Sequence, residues 1–150
     1  MTHPAARSLE QRIADTRTRF GRDEDVWVST GGSKGPYLVP LSFDWDGTHF
    51  VISTLLASTT ARHLVENGMV RLAFGPTRDV TMVEGTAVVI LDEELDAGVG
   101  ESYARRNAWD PRKEPQRYQW FRITPVRIQA WREANELAGR DLMKQSQWLG

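Results

Sequence analysis

The sequence predicts a mainly β protein, with few and short α-helices around an antiparallel barrel of about six strands. Short runs of β-branched and aromatic residues alternate with turn signals, as in antiparallel sheets. Asp46-Gly47 is a strong hairpin signal. The elements follow the order strand–strand–strand–helix–strand–strand–helix–strand, which lacks the regular alternation of a doubly wound sheet. At 150 residues, with 40% hydrophobic and 26% charged residues, the chain 1–150 is expected to form a single domain.

The first predicted element is an N-terminal helix. Ser8-Leu9-Glu10-Gln11 has the pattern of a capping box, in which a serine hydroxyl and a glutamine bond to the helix N-terminus. Leu9, Ile13 and Phe20 share one side of this helix, so that side is expected to face the core. Gly21 is expected to end it.

Three strands joined by two tight turns come next. Pro40 falls inside the second strand, which indicates a sheet edge, a bulge or a point where a ligand interrupts the ladder, because proline has no N–H to donate. The predicted strands are 26–30, 37–45 and 49–54, with turns at 31–35 and 46–47.

The second half of the chain continues this pattern. Pro125 predicts a bulge in the last strand. The elements are a helix at 58–67 closed by Gly68, strands at 70–75 and 80–91, a helix at 93–107 weakened by Gly98 and Gly100, a polar loop at 108–117 and a strand at 121–133. Residues 1–8 and 134–150 are expected to be peripheral tails, with Leu142, Met143, Trp148 and Leu149 as candidate anchors.

Composition excludes several classes of function. The absence of cysteine excludes disulfides and thiolate chemistry. The net charge of −1 does not favour nucleic-acid binding, and no apolar run approaches the roughly 20 residues that span a bilayer. Without a visible targeting segment, a cytoplasmic location is expected. His3, His49 and His63 are scattered, so no metal site is expected.

The segment 51–64 carries the strongest functional signal. An apolar strand ends in hydroxyls and leads into a short helix that carries Arg62. Helix N-termini favour anions, and hydroxyls with a guanidinium would complete a phosphate cradle. The alternative is simple capping, in which Ser58 or Thr59 satisfies the helix N-terminus. The hydroxyl residues of this segment are Ser53, Thr54, Ser58, Thr59 and Thr60.

Five segments in order resemble the pyridoxamine 5′-phosphate oxidase-like split β-barrels, over about residues 9–133. They are V-W-V-S-T-G-G-S-K-G-P-Y-L-V-P-L-S-F at 26–43, S-T-x3-S-x-T-x-R-x-L at 53–64, R-L-A-F-G-P-T-R-D-V at 71–80, V-E-G-T-A at 83–87 and W-F-R-I-T-P-V-R-I-Q-A-W at 120–131. The resemblance implies an antiparallel split β-barrel and a homodimer. It also implies FMN or the deazaflavin coenzyme F-420 bound in clefts at the dimer interface.

The same resemblance implies positions for the cofactor. Ser53, Thr54, Ser58, Thr60 and Arg62 would surround the phosphate; Pro40, Leu41 and Ser42 would lie beside the ring; and Pro76 and Arg78 would approach it, from the same chain or the partner subunit. Lys34, with Arg62 and Arg78, would form a basic path for the acidic tail of F-420. The chain departs from the family pattern at two points. His63 stands where relatives often carry asparagine. The Arg-Leu-Ala-Pro ending of the true pyridoxamine phosphate oxidases is missing, so oxidation of vitamin B6 is not expected.

Structural explanations stand beside these assignments. Arg78 would pair with Asp79 or solvent, Lys34 would be merely exposed, Gly31 and Gly32 would shape the hairpin, and His63 would lie on a solvated helix face or bind haem. The resemblance implies an oxidoreductase that transfers hydride between its cofactor and a small organic substrate, with no catalytic dyad in the protein itself. The alternatives are a non-catalytic flavin or tetrapyrrole (haem or biliverdin) carrier, or an interaction module without a cofactor. Tyr37 or solvent is the candidate proton source.

Overall fold

The computed structural model describes residues 3–150. The helices are α1 Leu9–Arg22, α2 Thr59–Asn67, α3 Asp92–Glu94 and α4 Gly100–Asn107. The strands are β1 Asp25–Gly32, β2 Gly35–Trp45, β3 Phe50–Leu55, β4 Met69–Phe74, β5 Val80–Val89, β6 Tyr118–Trp131, β7 Asp141–Lys144 and β8 Gln147–Trp148. No helix within the described range is long and apolar enough to cross a membrane.

The first six strands close into an antiparallel barrel. Their order is β3-β2-β1-β4-β5-β6, and β3 pairs with β6 to complete the circle. The prediction of a mainly β, antiparallel barrel of about six strands with short helices is therefore confirmed. The bulge expected at Pro125 is also present, since Glu84 pairs with Arg127 while Gly85 pairs with Pro125, which leaves Val126 as the extra residue.

Helix α1 closes one end of the barrel. The Ser8 hydroxyl accepts a hydrogen bond from the Gln11 N–H at 3.1 Å, as the capping pattern predicts. Phe20 is fully buried, with its ring centroid 4.8 Å from that of Phe50 and 4.9 Å from that of Phe74. The expected end at Gly21 is wrong: the helix continues to Arg22.

The C-terminal segment is less peripheral than expected. Strand β7 pairs with β6, and both Leu142 and Met143 are buried in the main core. Arg7 forms an ion pair with Glu136 of this segment, with 2.7 Å between Arg7 Nη2 and Glu136 Oε1. The expectation of peripheral tails at 1–8 and 134–150 is thus corrected at these positions. A strand of four residues is too short to show a periodic pattern.

A second, smaller core lies between the helical segment and the outside of the barrel. It contains Val51, Ile90, Leu95, Tyr103 and Trp120. The predicted helix 93–107 is interrupted by a π turn at Leu95–Val99, where Gly98 has a φ of 129°.

Polar contacts hold α4 against β2 and against the C-terminal end of α1. The Ser102 hydroxyl donates to Asp44 Oδ2 at 2.6 Å. Arg106 Nη2 donates to the carbonyl oxygens of Phe20 and Asp23, both at 2.8 Å. These contacts fix the side chain of Tyr103, which lies on the same helix, at the β2 side of the barrel.

Candidate functional site

The barrel splits between β2 and β3. The two strands pair from Phe43–Ile52 to Trp45–Phe50. The same register would place Ser42 opposite Ser53 and Leu41 opposite Thr54, but the described strands separate there. Each strand keeps its other neighbour, because β2 still pairs with β1 and β3 with β6. The separation leaves a gap, which we call the β2–β3 cleft.

Five predicted ring or phosphate contacts meet in this cleft: Pro40, Leu41, Ser42, Ser53 and Thr54. The cavity has a volume of about 380 Å³, within the range of about 300–1,000 Å³ that is typical of small-molecule sites. Its other lining residues, which the sequence analysis did not assign to the site, are Asp25, Leu55, Tyr103, Trp109 and Tyr118. Pro40 lies on the open edge of β2. Of the three explanations given for this proline, the structure therefore supports the sheet edge.

Two buried hydroxyl groups in the cleft lack a hydrogen-bond partner anywhere in residues 3–150. They are Ser53 Oγ and Tyr103 Oη, on residues that are 4% and 0% exposed. The neighbouring Ser42 hydroxyl donates to Asp25 Oδ1 at 3.1 Å and interacts only weakly with the Tyr103 hydroxyl. A buried polar group left unsatisfied costs about 1–3 kcal/mol. Both residues line the same cavity, so a ligand bound there would be close to two unsatisfied hydroxyls.

Burial raises the pKa of the Tyr103 phenol, and the negative charge of Asp25 raises it further. Both effects disfavour the phenolate. The Tyr103 hydroxyl is therefore protonated at neutral pH and is available as a hydrogen-bond donor in the cleft.

The N-terminus of α2 adjoins the cleft. The Ser58 hydroxyl accepts from the Ala61 N–H at 3.1 Å, so the capping explanation holds for Ser58. Its Oγ also lies 3.2 Å from Thr54 Oγ1, which links the helix to the cleft. Thr60 was predicted to contact the phosphate, but it is only 1% exposed and faces the core of the described chain. It lines neither the cleft nor the second cavity, which is described next.

A second cavity, which we call the hairpin pocket, lies between the β1–β2 turn and α2. It has a volume of about 430 Å³ and contains Lys34 and Arg62, so the structure brings these two predicted cations together. The Arg62 guanidinium is held by two hydrogen bonds to residues at the N-terminus of α2. It donates to Ala57 O at 2.9 Å and to Thr59 Oγ1 at 3.1 Å. Tyr37, the candidate proton source, lines this pocket and not the cleft.

His63 does not lie on a solvated helix face, as one explanation held. Its Nδ1 is 2.9 Å from Thr30 Oγ1, and a Cβ on Gly32 would lie 2.3 Å from its Nε2. The glycine at position 32 therefore admits the histidine ring. In the part of the chain that the structure describes, no group of three or more histidine, aspartate or glutamate side chains is arranged to hold a metal ion.

Pro76 and Arg78 lie in the β4–β5 loop, apart from the cleft and the hairpin pocket of the described chain. Arg78 Nη1 pairs with Glu133 Oε2 at 2.8 Å. The alternative pairing with Asp79 is wrong, because Asp79 binds Arg19 at 3.2 Å and Arg132 at 3.4 Å. A contact from this loop to the cleft of a partner subunit stays a prediction.

The residues that the sequence analysis missed had a weak signal. Trp109 and Tyr118 flank the polar loop 108–117 as an aromatic pair, and their ring centroids are 5.4 Å apart. Tyr103 lies on a predicted helix whose docking position was not predictable from local sequence. Only the packing of α4 on β2 brings it to Ser53.

The sequence profile of the pyridoxamine 5′-phosphate oxidase family matches residues 16–132. The chain belongs to this family. The match spans β1–β6 and thus the whole barrel with its cleft, and it confirms the resemblance given by the sequence motifs. No protein of curated function matches this family member in sequence.

Solved structures share its fold. An FAD-binding protein from Mesorhizobium loti has a TM-score of 0.64 at 14% identity, covering 78% of this chain and 91% of the other. General Stress Protein 26 from Bacillus anthracis has a TM-score of 0.62 at 21% identity, with coverages of 82% and 93%. An F420 reductase has a TM-score of 0.61 at 14% identity, with coverages of 75% and 94%.

The two cavities of this pyridoxamine 5′-phosphate oxidase family member differ in the chemistry of their walls. The cleft combines apolar and aromatic walls with two unpartnered hydroxyl donors, which suits a flat ring system that bears carbonyl acceptors. The hairpin pocket offers a lysine and a pre-oriented arginine, which suit a phosphate or carboxylate. The start of α2 lies between the two cavities.

Proposed function

We propose that this protein is a flavin- or deazaflavin-dependent oxidoreductase that uses FMN or coenzyme F-420. It would transfer hydride between the cofactor and a small organic substrate. The observation that carries the proposal is the pair of unpartnered hydroxyls, Ser53 Oγ and Tyr103 Oη, buried where two barrel strands separate. Family membership and the fold support the same class of cofactor.

In this proposal the ring system occupies the β2–β3 cleft. Ser53 and Tyr103 donate hydrogen bonds to it, and Leu41, Trp109 and Tyr118 form walls that exclude water. The cofactor supplies the hydride chemistry, while the protein binds, orients and shields it. A fixed donor such as the Tyr103 hydroxyl would also stabilise negative charge that develops on the ring.

The phosphate would bind at the first turn of α2. Free backbone N–H groups and the positive end of the helix dipole favour an anion there. Arg62 is already held in place by Ala57 O and Thr59 Oγ1, so little side-chain entropy would be lost on binding. Lys34 lies across the same pocket as a second cation.

The expected homodimer is also a proposal, supported by an apolar surface. Trp27, Leu38 and Met69 are 48%, 58% and 69% exposed, on the adjoining strands β1, β2 and β4. Trp27 pairs in register with Pro40, which lines the cleft. A second copy on this face would bury these residues and close the mouth of the cleft, and its Pro76 and Arg78 loop is the predicted contributor.

The test begins with purification, a visible spectrum and the mass of any released chromophore, followed by titration of FMN and F-420 onto apoprotein. Arg62→Ala should weaken the binding of both by at least about tenfold, the loss of one charge-assisted contact. The control is Arg105→Ala, at an exposed position on α4 away from both cavities of the described chain. Unchanged affinity in Arg62→Ala would refute the phosphate assignment. Binding without any turnover would instead support a carrier.

A further inference from the structure

Asp25 is the only charged residue that lines the β2–β3 cleft in the part of the chain that the structure describes. Its side chain is exposed at the start of β1, and its Oδ1 accepts a hydrogen bond from the Ser42 hydroxyl at 3.1 Å. That bond uses one carboxylate oxygen and leaves Oδ2 for a ligand. The cleft therefore carries an anionic acceptor in addition to its neutral hydroxyl donors.

The strand register places this carboxylate next to a buried donor. Asp25 lies directly opposite Ser42 in the β1–β2 pair, so both side chains project from the same face of the sheet. The Ser42 hydroxyl also interacts weakly with the hydroxyl of Tyr103, which α4 holds against β2. Asp25 and Tyr103 thus lie on either side of a single serine. A carboxylate acceptor and an unpartnered hydroxyl donor stand side by side in the cleft.

A ligand that covers this part of the cleft must satisfy the carboxylate that it removes from water. Burial of an ionised carboxylate without a partner is far more costly than burial of a neutral polar group. The ligand therefore has to donate a hydrogen bond to Asp25 and accept one from Tyr103. Adjacent N–H and C=O groups on the edge of a flat ring meet both requirements. An anionic group at the same place would be repelled by Asp25.

We propose that Asp25 selects ligands whose ring edge carries an N–H beside a carbonyl, as the pyrimidinedione ring of flavins and deazaflavins does. Asp25 Oδ2 accepts the ring N–H, the Tyr103 hydroxyl donates to the adjacent carbonyl, and Ser42 holds the carboxylate in position. This assignment rests on the proposed function, since it takes the ring to lie in the cleft. Haem presents carboxylates and no free ring N–H, so the same residue disfavours haem.

The probes are FMN and its N3-methyl derivative, because methylation removes the ring N–H and leaves both carbonyls and the phosphate in place. Fluorescence titration of the full chain gives both affinities. The wild-type protein should bind FMN about tenfold more tightly than the methylated probe, at the low end for a hydrogen bond to a charged group because Asp25 is partly solvated.

Two substitutions of Asp25 complete the comparison. Asp25→Ala should bind the two probes equally, within about twofold, mainly through weaker binding of FMN. Asp25→Asn keeps the shape but not the charge and should leave a preference of about threefold, since charge-assisted hydrogen bonds are roughly twice as strong as neutral ones. Glu24→Ala is the matched control, because it removes an exposed neighbouring carboxylate that does not line the cleft. Thermal melts check that each variant folds.

The outcomes separate the role of Asp25 from the proposed function. Loss of the preference in Asp25→Ala, with its retention in Glu24→Ala, supports the assignment. Equal binding of both probes by the wild-type protein, or a preference that survives in Asp25→Ala, overturns it while leaving the cofactor site intact. If FMN does not bind, the assignment fails as well, and the proposed function then depends on binding and turnover of F-420. Binding that depends on both the ring N–H and Asp25, but without turnover, removes only the oxidoreductase activity.

Discussion

Substitution of Tyr103 by phenylalanine should have opposite effects on the apoprotein and on ligand binding. The change removes one hydroxyl from a fully buried ring and leaves its packing intact. Because that hydroxyl lacks a partner among residues 3–150, the folded apoprotein bears a cost of about 1–3 kcal/mol that the variant avoids. We expect the free energy of unfolding to rise by about 1 kcal/mol, and the Tm by roughly 2–4 °C for a domain of this size.

Ligand binding should weaken in the same variant. A neutral hydrogen bond contributes about 0.5–1.5 kcal/mol, which corresponds to a roughly two- to twelvefold loss in affinity for FMN or F-420. Since burial raises the pKa of the Tyr103 phenol, this loss should be constant from about pH 6 to about pH 8.

The assays are thermal unfolding of apoprotein and fluorescence titration with each cofactor. Tyr118→Phe is the control for stability, because Tyr118 lines the same cleft but is only half-buried, and its hydroxyl can reach water. If Tyr103→Phe instead destabilises the apoprotein and leaves both affinities unchanged, the hydroxyl has a structural partner and the reasoning for a ligand in the cleft fails.

Three further predictions concern the framework of the site. Ser58→Ala removes the cap of α2 and should lower stability by about 1 kcal/mol, seen as a lower midpoint in urea unfolding, whereas Thr59→Ala should have little effect. The Arg7 guanidinium lowers the pKa of Glu136 from 4.5 to about 2, so this pair stabilises the fold above about pH 4.5 and the contribution is lost as the pH falls towards 2. Glu136→Gln should therefore lose about 2–3 kcal/mol at pH 7 and show a flatter acid-unfolding profile; equal acid sensitivity would contradict this. Leu142→Ala should cost about 2–5 kcal/mol in chemical unfolding, since Leu142 is fully buried; a loss near zero would show that β7 is dispensable.

Local signals account for the features that the sequence analysis predicted well. The Asp46-Gly47 turn, the cap at Ser58 and the left-handed Gly68 after α2 each depend on a few neighbouring residues. The bulge at Pro125 follows from the missing N–H of proline alone. Such features mark where strands and helices begin and end, whereas the pairings β1–β4 and β3–β6 that close the barrel join distant segments.

Errors arose where a residue's role depends on distant partners. Arg78 was given pairing with Asp79 or solvent as its structural explanation; its side chain is largely exposed, but its ionic partner is Glu133, which folding brings near from beyond the end of β6. Gly32 lies in the β1–β2 hairpin as expected, but its lack of a side chain also makes room for His63 on α2, which was not predicted. Thr60 was grouped with the other hydroxyls of its segment, but the rotation of α2 turns it into the core.

The amino-acid sequence by itself determined the class of fold, the hydroxyl-rich approach to α2 and the family, since these reside in contiguous motifs. Only the tertiary structure decided which hydroxyls remain without partners. Ser53 and Tyr103 are distant in sequence and meet because α4 docks on β2 just where β3 leaves it. Whether a buried group is satisfied depends on everything packed around it, which no local pattern encodes.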